Sequence, residues 1–87
     1  MTKGIDWQAY AKGFLKAELK RRHVGYRELA EKLGEFGIHE TEANIANKIS
    51  RGGFTAIFLL QVLVAIGARD VHILVPQGSG SLATHSE

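Results

Sequence analysis

The stretch Phe54 to Ile66, FTAIFLLQVLVAI, is apolar except at Thr55 and Gln61. At about 3.6 residues per turn its apolar side chains cover nearly the whole circumference of a helix. A helix apolar all round is either buried in protein or spans a bilayer. Crossing the hydrocarbon takes about 20 apolar residues, and this run is shorter. It is also longer than a buried strand, which seldom exceeds about eight residues. We therefore read it as the central helix of a small bundle, or of a bundle plus a dimer contact. Thr55 stands where an N-cap belongs, Phe54 and Leu59 have hydrophobic-staple spacing, and Gly67 is placed to stop the helix.

The segment just upstream has the opposite character. Thr41 caps a helix reaching about Ser50, and Gly52 and Gly53 turn the chain into Phe54. Ile45, Ala46 and Ile49 face inward. At roughly 100° per residue, Asn44, Asn47, Lys48 and Arg51 gather on the other side. That outer face offers two amides, an ammonium and a guanidinium, with no carboxylate among them. Glu42 lies in the first turn, where it suits the helix dipole.

Two further helices precede it. One starts after Gly25, with Glu28 at capping-box spacing, and stops at Gly37; Ile38 plugs the turn. Its apolar face is Tyr26, Leu29, Ala30, Leu33 and Phe36, and Glu28 pairs with Lys32 outside. The first helix is capped by Asp6 and ends near Arg22, leaving His23 in the left-handed region. Trp7, Tyr10, Ala11, Phe14 and Leu15 recur at helical spacing and are expected in the core. Lys12, Lys16 and Lys20 line the opposite face.

Beyond Gly67, Val71 to Val75 is rich in branched residues and precedes Pro76, which reads as a short strand. A lone strand leaves its backbone unmatched, so it is expected to pair with its symmetry mate. A fifth short helix is the alternative. Residues 77–87 are Gly/Ser-rich and expected to be a disordered tail, so the folded domain is 1–76.

A chain of 87 residues forms one domain with a small core, for which oligomerisation is a live expectation. The absence of cysteine removes disulfides and thiolate chemistry and suits a reducing cytoplasm. No signal-peptide core is present in MTKGIDWQAY, and no membrane span is expected. The net charge of +2 and pI of about 9.2 allow nucleic acid without demanding it. Cations dominate residues 3–23, and carboxylates dominate 24–50. An enzyme is not expected. His23, His39, His72 and His85 are scattered, Ser50, Ser79, Ser81 and Ser86 lack a nucleophile context, and no phosphate loop or metal-ligand spacing occurs. No cofactor, metal or small-molecule ligand is implied.

The second helix, its turn and the polar-faced third helix form a helix-turn-helix layout. Val24-Gly25-Tyr26-Arg27-Glu28-Leu29-Ala30-Glu31-Lys32-Leu33-Gly34, Ile49-Ser50-Arg51-Gly52 and the helix Thr55 to Gly67 resemble the lambda-repressor/Cro-like (XRE-type) helix-turn-helix domain. The spacing from Leu29 to Gly52 is several residues longer than that compact motif. The run Glu40 to Gly52, with Phe54 and Phe58-Leu59-Leu60-Gln61, is similar to a bacterial family of uncharacterised helix-turn-helix-like domains. The resemblance implies an all-α, four- or five-helix lambda-repressor-like bundle, to which the branched run Val71 to Val75 adds a short C-terminal strand expected to serve dimerisation.

It also implies DNA binding by a small dimeric transcriptional regulator. Asn can bond adenine edges and Arg or Lys can bond guanine, so Thr41, Asn44, Asn47, Lys48 and Arg51 are the expected reading face. Arg27, Lys16, Lys20, Arg21 and Arg22 are the expected phosphate contacts. Dimer contacts are expected from Ile57, Leu60 and Val64 and from Val71, Ile73 and Val75. The competing expectation is a protein-interaction module on the same scaffold, antitoxin-like or a phage-derived adaptor.

Overall fold

The structure, a computed structural model, describes residues 4–75. Four α-helices follow in chain order: α1 (Trp7–Arg21), α2 (Tyr26–Glu35), α3 (Glu42–Arg51) and α4 (Ala56–Ala65). The polar side chains that begin three of them are the expected ones. The Asp6 carboxylate accepts from the Ala9 N–H, the Thr41 hydroxyl from the Asn44 N–H and the Thr55 hydroxyl from the Phe58 N–H, each at 3.0 Å. Each satisfies one amide that a helix start would otherwise leave orphaned. Gly25 caps α2 through backbone conformation alone. Thr41→Ala is therefore expected to cost about 1 kcal/mol, a fall of about 4–8 °C in Tm, read by thermal circular dichroism.

The helix ends share one device. After α1, α2 and α4 the chain enters the left-handed region at His23 (φ 59), Gly37 (φ 79) and Gly67 (φ 78). In each case the residue beyond donates back across the last turn: Val24 to Leu19, Ile38 to Leu33 and Ala68 to Leu63. Val24, Ile38 and Ala68 then pack on the core, which is the apolar contact of a Schellman closure. Glycine supplies two of these conformations without steric cost, and His23 meets the third as expected.

α3 packs against both α1 and α2, and α4 packs against α2. The core is Leu15, Leu19, Leu29, Leu33, Ile45, Ile49, Phe58, Val62, Leu63 and Ile66. Fully burying a side chain of this size contributes about 1.5–3 kcal/mol. Helix-period reading identified most of these positions, but not the inward face of α1. There the buried residues are Leu15, Glu18 and Leu19, while Trp7 is 58% exposed and Tyr10 and Phe14 are half-buried. The inward face of α1 is centred on Leu15, Glu18 and Leu19, which leaves Phe14 at its margin and Trp7 outside it. Three of α1's inward positions are aliphatic or acidic, and the aromatic stripe is turned aside.

α4 also differs from an all-round buried rod. Phe58, Val62, Leu63 and Ile66 are buried, whereas Ile57, Leu60 and Val64 are 60–68% exposed. No helix among the described residues is long and apolar enough to cross a membrane. The strand expected at 71–75 is not formed, nor is a fifth helix; these residues carry no regular element. No strand lies beside them among the described residues, so the branched side chains have no ladder to join. Val71 instead packs on the core, and His72 and Leu74 flank a hollow with Tyr10, Phe14 and Ala17 of α1. Pro76 and the tail 77–87 lie outside the described residues.

Candidate nucleic-acid interface

The outer face of α3 emerges as its spacing dictates. Ile45 and Ile49 fix the rotation of the helix by burying against α1 and α2, and Asn44, Asn47, Lys48 and Arg51 are left exposed. Among the described residues, the side chains of Asn44, Asn47 and Arg51 make no hydrogen bond or ion pair with the chain. Their amide and guanidinium donors face solvent. Thr41 is exposed too, but its hydroxyl is engaged as the α3 cap.

Lys48 departs from expectation. Its ammonium is paired with the Glu40 carboxylate and lies 4.9 Å from the centroid of the Phe58 ring. Glu40 comes from the turn between α2 and α3, and its side chain is only 15% exposed. The strip is therefore not free of carboxylates. Helical period could not disclose this, because Glu40 precedes the helix and returns through the shape of the turn. Lys48 is thus partly a packing residue: its ammonium sits over a buried aromatic face while a carboxylate neutralises it.

The remaining cations divide into two groups. Lys16, Lys20 and Arg27 are exposed. Lys16 and Lys20 border a hollow of about 310 Å³ with Leu19, Val24, Gly25 and Tyr26, at the start of α2. Arg21 and Arg22 are turned to another purpose. Arg21 Nη2 donates to Glu18 Oε2 at 3.1 Å, and Arg22 Nη1 is paired with Glu18 Oε1. The Glu18 side chain is 4% exposed, so these guanidiniums compensate a carboxylate taken out of water. Arg22, itself 25% exposed, is withdrawn from the phosphate role; Arg21 keeps most of its surface.

Two residues of the site escaped sequence reading. Gln8 of α1 joins Lys48, Arg51, Gly53 and Phe54 around a shallow hollow of about 210 Å³. It arrives there because the α1 backbone meets the end of α3 at Gly52, a tertiary contact with no local signature. The other is Glu18. Its position three and seven residues beyond Leu15 and Ala11, with arginines three and four residues later, was the available signal.

No group of three or more His, Asp or Glu side chains that could hold a metal occurs among the described residues. These features define a four-helix, all-α domain presenting an amide-and-guanidinium strip on its third helix. The chain belongs to a family described as a domain of unknown function, DUF6471, whose model matches residues 7–71. No curated protein and no solved structure matches the chain.

Proposed function

We propose that the protein is a homodimeric DNA-binding regulator of transcription, with α2 and α3 acting as a lambda-repressor-like helix-turn-helix and α3 entering the major groove. The observation that carries this reading is the face of α3. Asn44, Asn47 and Arg51 stand exposed on a helix fixed from behind by Ile45 and Ile49, and their donors are unspent on the chain. Amides suit adenine edges and the guanidinium suits guanine. Lys16, Lys20 and Arg27 are available to phosphates, and Arg21 in part. A single short helix reads a few base pairs, so useful affinity calls for two copies on two half-sites.

The test is a gel-shift titration with duplex DNA at several salt concentrations. Affinity should fall steeply as salt rises. The double variant Asn47→Ala/Arg51→Ala should bind at least about thirtyfold more weakly, at about 1–3 kcal/mol for each of the two base contacts. Its circular dichroism spectrum should match the parent, since both side chains are exposed. An unaltered titration would remove α3 from the mechanism. Arg27→Ala should instead lower the salt slope by about one contact while weakening all sequences alike.

The pairing of Glu40 with Lys48 favours a second reading. A carboxylate on the strip opposes a polyanion, and α2 and its turn are rich in Glu28, Glu31, Glu35 and Glu40. On that reading the scaffold is a protein-interaction module. Recovery of a stoichiometric protein partner with no nucleic acid would replace the DNA reading with this one.

A further inference from the structure

We propose that the outer stripe of α4 is the docking site for a second copy of this chain, in an antiparallel crossing about a two-fold axis between Leu60 and Gln61. Ile57, Leu60 and Val64 recur at three- and four-residue steps, form one stripe and are 68, 61 and 60% exposed. Phe36, 52% exposed, and Ile38 extend the stripe across the α2 end, and together with Leu60, Gln61 and Val64 they enclose a hollow of about 220 Å³. A contiguous apolar patch of this kind on a small domain marks an interaction surface.

The chemistry of the stripe selects its occupant. The sequence of α4, AIFLLQVLVA, contains no charged residue. Nothing on the stripe demands an opposite charge, so a charged amphipathic partner would gain no complement there. The helix also has no acidic side chain in its first turn and no basic one in its last, so no charged side chain within it adds to the Thr55 cap or the Gly67 closure at the dipole ends. An antiparallel second α4 answers each end with its opposite. The register is self-complementary as well. An axis between Leu60 and Gln61 sets Ile57 against Val64 of the second copy, and Val64 against Ile57, as a two-fold interface requires. It also brings the two Gln61 amides together, where each can donate to and accept from the other. This pairing rests on the homodimer of the proposed function but needs no nucleic acid, so its failure and the failure of DNA binding by α3 are separate outcomes.

The chain has no cysteine, so an introduced one reports without background. In Leu60→Cys, mild oxidation should give a disulfide-linked dimer at least tenfold faster than in Glu31→Cys, an exposed control on α2. A mixture of Ile57→Cys and Val64→Cys should form the mixed dimer faster than either variant forms its own. Light scattering after size exclusion should give the mass of two 9.5 kDa chains for the parent and one for Leu60→Glu. A monomeric parent at the highest soluble concentration would overturn the proposal. So would a dimer that persists in Leu60→Glu, or cross-linking of Leu60→Cys no faster than the control.

Discussion

Gly52→Ala is expected to destabilise the protein by about 3 kcal/mol, combining left-handed strain with overpacking. At about 4–8 °C per kcal/mol, Tm should fall by roughly 12–24 °C. Gly52 is buried at φ 71, and a Cβ there would lie 2.1 Å from the Gln8 carbonyl oxygen and 2.7 Å from its carbon. Both contacts are backbone, so no side-chain rotation relieves them. α1 would have to lift from the end of α3, beside Arg51. Gly37 supplies the control. It shares the left-handed conformation, at φ 79, but a Cβ there meets nothing within 4 Å. Gly37→Ala should therefore cost only the backbone strain, about 1–2 kcal/mol. Equal losses in the two variants, measured by denaturant or thermal unfolding, would show that the α1–α3 approach is not tight.

Arg22→Ala is expected to cost roughly 2–3 kcal/mol, somewhat under the usual penalty for breaking a buried ion pair because Arg21 still donates to Glu18. The loss arises from a carboxylate left buried with fewer donors rather than from the attraction removed. The double variant Glu18→Leu/Arg22→Met should recover most of that stability, since it removes the buried charge along with its partner. Failure of the double variant to recover would mean that the Glu18 cluster organises α1 beyond its own charge balance. These variants also guard the DNA experiment. Reduced DNA binding by Arg22→Ala would trace to a loosened α1 and not to a lost phosphate contact.

Much of the fold was legible. Asp6, Thr41 and Thr55 as caps, Gly37, Gly52 and Gly67 as stops, and His23 as a left-handed residue all follow from local chemistry that acts within a turn or two of chain. The exposed stripe of Ile57, Leu60 and Val64 was legible as well, because helical spacing lets a run apolar all round be split into two faces. The strand at 71–75 was misread because branching raises strand propensity without providing a neighbour to pair with. The core role of Trp7 was misread because α1 had two competing apolar faces, and sequence period does not say which one meets α3.

The sequence by itself determined where the four helices begin and end and which face of α2, α3 and α4 is apolar, since capping, backbone conformation and periodicity are local. Tertiary structure alone decided the rotation of α1, the burial of Glu18 beneath two arginines, the closure of Glu40 on Lys48 and the seating of Gln8 over Gly52. Each of these depends on residues that are distant in the chain, or on the path of a turn. Their energies come from packing and desolvation across elements, which no local pattern encodes.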